Sequence, residues 1–271
     1  MSRISQIAMI ALLVSLAVSY GMIIYFVVLL LAMHHCYSQP VGWTRKVLSI
    51  ACIAVTWFYI IHFMIAYVGP MNSFDAAYAD VIWGGSMGNW SNTQMLLTWA
   101  VIAMVWSAEA SAFYQLFGVF GAMSASYLLF RPKQREDDKV QLQYAVFSVL
   151  AFACIALLPW TTSVSALSWL LWTLHVSLLA PKFISMSFNF DRCSLYFVLA
   201  LMAMVIHMSA GRSFLPNTEC RISITIDAVV CALITLGFIY DRTKSLWAAS
   251  AGGCLMPFFS PGCVLGVFCA L

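Results

Sequence analysis

The chain has 271 residues, of which 63% are hydrophobic and 8% charged, against about 45–50% and 25% in a soluble domain. So few charges cannot cover a water-soluble fold of this length, and the basic residues behind the net charge of +3 are clustered as topology markers, which excludes a nucleic-acid patch. No short alternating segments of a transmembrane β-barrel are present, so the composition predicts an all-α, polytopic membrane helix bundle.

Apolar runs long enough to span, about 20 residues each, are predicted at 6–34, 46–69, 93–130, 141–160, 163–182, 194–211 and 222–241, seven transmembrane helices in one domain over 1–271. The first run, Ile7 to Met33, is too long for the apolar region of a cleavable signal and reads as a spanning helix that is its own insertion signal. Proline and glycine punctuate the linkers at Gln39-Pro40, Gly69-Pro70, Arg131-Pro132, Pro159, Pro181 and Pro216-Asn217.

The third run is overlong. As one helix it would reach roughly 50 Å, against a hydrocarbon core of about 30 Å. Either it tilts and protrudes, or it breaks near Ser107 to Ser111 or at Gly118 and Gly121. Charge parity decides for one crossing. With one, the clusters Arg45-Lys46, Arg131 to Lys139, Lys182 to Arg192 and Arg242 to Lys244 share a side. With two, the bias disappears. The positive-inside rule then puts that side in the cytoplasm or its equivalent and the N-terminus on the non-cytoplasmic face. The tail, 245–271, is apolar but broken by Gly252-Gly253, Pro257, Pro261 and Gly262. It is expected to be an eighth span, a re-entrant segment or an interfacial piece.

The loop from Met71 to Asn92 carries the sequon Asn89-Trp90-Ser91, a glycosylation candidate at Asn89, with Tyr78, Trp83 and Trp90 as interfacial anchors. The nine cysteines show no C-x-x-C spacing. Those inside apolar runs, Cys52, Cys154 and Cys231, read as small hydrophobes.

Ionisable groups within spans point to function, since each costs several kcal/mol to insert. There are five: His62, Glu109, His175, His207 and Asp227. The assigned directions put His62, His207 and Asp227 in the outer third of the membrane, with Glu109 and His175 nearer the middle. If the three outer groups meet, Asp227 would favour a protonated histidine and the trio would bind a proton or cation. The plainer reading gives each histidine a backbone carbonyl or hydroxyl on an adjacent helix. Glu109 sits in Trp106-Ser-Ala-Glu109-Ala-Ser111, among small residues that suit close packing, where polar glue competes with proton relay. His62 with His207 are also candidate axial ligands for a haem, and His175 for a pigment. His34-His35, at the inner end of the first run, reads as interfacial.

Asn89-Trp90 with Thr93 resembles the opening of the third helix of microbial rhodopsins, and Asp227 resembles their seventh-helix counter-ion. Four residues on, where the resemblance calls for the retinal lysine, stands Cys231, and the arginine usual before the third-helix acid is missing. The resemblance therefore implies a rhodopsin-like scaffold without a retinal Schiff base. No H-x-x-x-H set, H-E-x-x-H, G-x-S-x-G or Walker loop is present, and Gly84-Gly85-Ser86-Met87-Gly88 reads as a loop.

The sequence thus predicts a multi-pass protein that moves or senses a small solute or ion through a polar layer in the outer half of the bundle. The alternative is a non-catalytic subunit of a larger membrane complex, binding lipid, haem or pigment. The expected partners are the lipid bilayer and other membrane subunits. A membrane enzyme stands third.

Overall fold

The computed structural model describes residues 22–66, 112–130, 139–209 and 219–270, with single positions at 79, 82, 83, 93, 96 and 97. Ten helices account for nearly all of these residues: α1 (Met22–Ser38), α2 (Trp43–Ala66), α3 (Ala112–Phe120), α4 (Met123–Leu129), α5 (Leu142–Leu157), α6 (Val164–Leu179), α7 (Arg192–Ser209), α8 (Glu219–Thr243), α9 (Leu246–Phe259) and α10 (Pro261–Ala270). Two three-residue strands, β1 (Lys139–Gln141) and β2 (Asn189–Asp191), pair antiparallel in front of α5 and α7.

Among the described residues three stretches are long and apolar enough to cross a membrane: Leu142–Trp160, Val164–Lys182 and Arg192–Ser209. They fall on three predicted runs. α5 and α6 each end in a 3₁₀ turn that holds a proline, Pro159 and Pro181, because proline has no N–H with which to continue the ladder. Helix α6 starts where Ser163 accepts from the Ala166 amide at 3.2 Å, an ordinary N-cap. Helices α2 and α8, at 24 and 25 residues, are each about 36 Å long.

These helices are apolar on their outer faces as well as their inner ones, unlike those of a soluble bundle. Helix α7 exposes Phe197, Val198, Leu201, Val205 and Met208 while burying Leu195, Leu199, Ala203 and Ile206. Helix α5 exposes Val146, Val149, Leu150 and Leu157, and α8 exposes Val229 and Leu233. At i, i+3, i+4 spacing each set forms one stripe, and stripes this large on several helices suit an apolar solvent. Trp160, 80% exposed, ends the 19-residue stretch from Leu142, which is about 28 Å long and close to one hydrocarbon thickness.

The run predicted as one segment over 93–130 holds no single uninterrupted helix. Its part before Ala112 lies outside the described residues apart from single positions. The rest folds back on itself at Gly121-Ala122. Ser126 Oγ donates to the Tyr114 carbonyl at 2.6 Å, and the Tyr114 and Phe130 rings lie 5.6 Å apart. On a straight helix Tyr114 and Phe130 would be about 24 Å apart. The reversal is possible because residue 121 has no side chain: a Cβ there would meet the Phe117 carbonyl oxygen at 2.7 Å and Leu29 at 3.0 Å. Tyr37 and Ser49 flank the lower hairpin, and Trp57 Nε1 donates to the Gly121 carbonyl at 3.0 Å. The hairpin therefore rises from the end of α2 that holds Arg45, turns level with Trp57, and returns.

The tail makes a second hairpin. Lys244 adopts a left-handed φ of 53° between α8 and α9. Helix α9 climbs beside α8, with Gly252 against Ile239 and Gly253 against Leu236. At Ser260 (φ 79°) the chain reverses, and the Ser260 hydroxyl accepts from the Cys263 amide at 3.0 Å to start α10. Helix α10 descends along α7, its Gly266 touching Ala200 and the Tyr196 carbonyl. At 14 and 10 residues its arms are about 21 and 15 Å long, too short to span. One end of the molecule thus collects Arg45, Lys46, Lys139, Arg192, Arg242 and Lys244; there Arg45 pairs with Asp241 at 3.5 Å.

Asp191 caps α7 through a 2.7 Å bond from the Ser194 amide, and Ser194 holds its carboxyl below the ordinary range. A depressed carboxyl stabilises fully above its unfolded pKa and loses that contribution as pH falls through the folded value. Wild type and Asp191→Ala should therefore differ in amide protection at Ser194 at neutral pH, and the difference should vanish in acid. For the first hairpin, Gly121→Ala should cost about 1–3 kcal/mol, read as a lowered unfolding midpoint in detergent. Gly42→Ala, with nothing within 4 Å of its added Cβ, should leave the midpoint unchanged.

Candidate functional site

Helix α4 begins in the protein interior, and its N-cap, Ala122, offers no side-chain acceptor. The first amides of any helix lack intrahelical partners. Here the acceptor comes from another helix. Asp227 of α8, 4% exposed, takes the Ser124 amide at 3.1 Å, the Ser124 hydroxyl, and the Met123 amide. A carboxylate at that position also meets the positive end of the helix.

Two thiols stand close to the carboxyl. Cys52 of α2 and Cys231, one turn further along α8, lie within electrostatic reach of Asp227. Ser49, one turn before Cys52, donates to the Ala125 carbonyl at 2.8 Å and accepts from Tyr37 Oη at 2.8 Å. Ser49, Thr56, Ser124, Ser126 and Thr235 are all buried. The interior between α1, α2, α4 and α8 therefore holds hydroxyl groups among its apolar side chains, while the outer faces are apolar.

The other candidates are dispersed. His207 is fully buried and its Nε2 donates to the Pro257 carbonyl at 3.3 Å. In a continuing helix that carbonyl would accept from residue 261, which is proline and has no N–H. The nitrogen that a haem iron would need on His207 is thus committed to α9. His175 is half-buried and bonds the carbonyl of Leu171 on its own helix. The side chain of His62, and Glu109 and Asn89 entirely, lie outside the described residues.

The layer of His62, His207 and Asp227 is not what these contacts show. Asp227 is bonded to Ser124, whose hairpin meets α2 at Ser49 and Trp57, and His62 stands five residues beyond Trp57, about 8 Å further along the axis. Asp227 and His207 instead serve two different hairpins. His35 stacks on Phe113 at 4.5 Å between ring centroids, at the foot of the first hairpin. Among the described residues no three of His, Cys, Asp and Glu are grouped to hold a metal ion.

Ser124 has no mark in the sequence because a serine in an apolar run carries no signal alone, and Cys52 reads there only as a small hydrophobe. The one available clue was the glycine at 121 in an overlong run.

No family model matches the chain, and no curated protein or solved structure is similar to it.

Asp227→Ala should leave the Ser124 and Met123 amides buried without an acceptor, costing about 1–3 kcal/mol for each stranded group. Ser124→Ala keeps both amide bonds and should cost only about 0.5–1.5 kcal/mol. Thermal unfolding of the detergent-solubilised chain, ranked wild type above Ser124→Ala above Asp227→Ala, checks both. Equal midpoints for the two variants would refute the capping role.

Proposed function

We propose that the chain is a seven-span membrane protein with two re-entrant hairpins, and that it moves a small ion through the interior lined by Asp227. The exposed apolar stripes, the one-sided basic residues and the membrane-length helices support the bilayer setting. In that arrangement the basic end is the cytoplasmic one.

The observation that carries the ion-moving role is Asp227 itself. Asp227 also closes the start of α4, but a neutral acceptor would serve that end, and ionisable groups inside membrane helices usually mark ion pathways. Broken helices whose ends meet near mid-membrane are a common way to build such a site. Here the end of α4, the carboxyl and the buried hydroxyl groups coincide.

The test is flux into vesicles of three parts phosphatidylethanolamine to one part phosphatidylglycerol, with dyes for H⁺, Na⁺ and K⁺. Wild type should pass one of these ions well above empty vesicles. Asp227→Asn keeps an oxygen acceptor for Ser124 but not the charge, and should lower the rate at least about tenfold. Vesicles no leakier than empty ones to all three ions would overturn the reading. So would an Asp227→Asn variant as active as wild type.

A further inference from the structure

We propose that the basic end carries a site for an anionic phospholipid headgroup, built on Arg45, Lys244, Trp43 and Trp247. The inference rests on the bilayer setting above and is independent of ion movement.

Asp241, near the end of α8, joins the parts of the site. Arg45 of α2 approaches its carboxylate at 3.5 Å, and Lys244, in the turn between α8 and α9, at 3.9 Å. One acid therefore gathers cations from two parts of the chain. Both pairs are longer than a tight charge-assisted bond, and the Asp241 and Lys244 side chains are 58% and 75% exposed. A guanidinium with five N–H donors and an ammonium with three cannot place them all on one carboxylate. Arg242, also exposed, follows Asp241 directly. Positive charge is thus left uncompensated at the surface.

The aromatic flanks select the kind of anion. Trp43 opens α2, two residues before Arg45, and is 77% exposed. Trp247, in the first turn of α9, is 88% exposed. Beside them Val47 of α2 and Leu246 of α9 are exposed as well. Indoles at the end of membrane helices anchor at the boundary between headgroups and acyl chains. A ligand that covers the whole surface needs a phosphate for the cations and hydrocarbon for the rings, and an anionic phospholipid has both. A free phosphate would leave the rings uncovered. The start of α9 is not itself the anion site, because Ser245 Oγ already accepts the Ala248 amide at 3.2 Å.

The turn points the same way. Lys244 holds a φ of 53°, where glycine rests without strain and a side chain does not. Glycine would make this reversal more easily, so a lysine here is explained by its charge. Lys46 is by contrast committed within the chain, its Nζ donating to the Tyr37 carbonyl at 2.6 Å.

The test places the full chain in phosphatidylcholine vesicles. One lipid in ten carries bromine high on its acyl chains, as either phosphatidylglycerol or phosphatidylcholine. Subtracting the quenching of a Trp43→Phe/Trp247→Phe chain isolates the two indoles of the site. In wild type, phosphatidylglycerol should be favoured at these indoles by about fivefold for each cation engaged. Lys244→Gly relieves the backbone and keeps the turn, and should lower that preference about fivefold. Lys244→Arg should keep it. Lys139→Gln, which removes a cation of the same end from β1, should leave it unchanged. Equal quenching by the two lipids overturns the site, as does an equal loss from Lys139→Gln and Lys244→Gly. A preference abolished by excess inorganic phosphate at constant ionic strength would make the ligand a free phosphate and overturn the lipid. Quenching of other tryptophans but not of these two sinks the site and leaves the bilayer setting standing. A chain in which neither lipid quenches any tryptophan loses that setting, and the site with it.

Discussion

A helix that starts in the interior of a helical bundle has amides that water cannot reach, and the first hairpin is held because Asp227 takes them. Helix α4 is only seven residues long, so an unpaired start would be a large fraction of what holds it. In hydrocarbon each unsatisfied backbone group costs several kcal/mol. With the carboxyl of α8 bonded to Ser124 and Met123, the tip at Gly121 is fixed against Trp57 and Leu29. That in turn sets which face of α2 looks inward. The second hairpin meets the opposite problem, a helix end with an orphan carbonyl at Pro257, and solves it with a donor, His207. Acid against helix start, imidazole against helix end: the two buried groups are matched to the polarity of the ends they close.

The long apolar runs were readable because length and composition alone decide them. The runs at 141–160, 163–182 and 194–211 agree within about two residues with the observed stretches, and Pro159 and Pro181 mark their ends. The hairpin was only half readable. Gly121 was visible as a possible break, but a kink and a full reversal have the same sequence, because the arms of the hairpin are as apolar as a through-going helix. What distinguishes them is the contact of Ser126 with Tyr114 and of residue 121 with Leu29, which requires knowing where α1 lies. The tail had the same ambiguity, resolved by Ser260 and its left-handed backbone. The three-residue strands had no signal at all beside the charged linker.

The site followed the same logic. Asp227 and His207 stood out by rarity, and both are buried and bonded. Their grouping by depth did not follow, because depth was counted along straight crossing helices with nothing between them. Two hairpins inserted from one end occupy that space, and each takes one of the two residues. Ser124 becomes informative only once the chain has turned back, so no spacing along the sequence could have paired it with Asp227.

The two closures differ in how they answer to a proton. An imidazole that gains one keeps the Nε2–H that Pro257 accepts, so the second hairpin tip keeps its bond. A carboxylate that gains one loses the charge that made its bonds to Ser124 and Met123 charge-assisted, and such bonds are roughly twice as strong as neutral ones. Proton arrival at Asp227 therefore weakens the hold on the first hairpin and leaves the second untouched. The first tip is packed around a glycine, with Leu29 at the position a Cβ would need, so it has little freedom to find another acceptor. Protonation of Asp227 and loosening of the hairpin it closes are then one event, felt by α4 through Ser124 and by α2 through the Gly121–Trp57 bond.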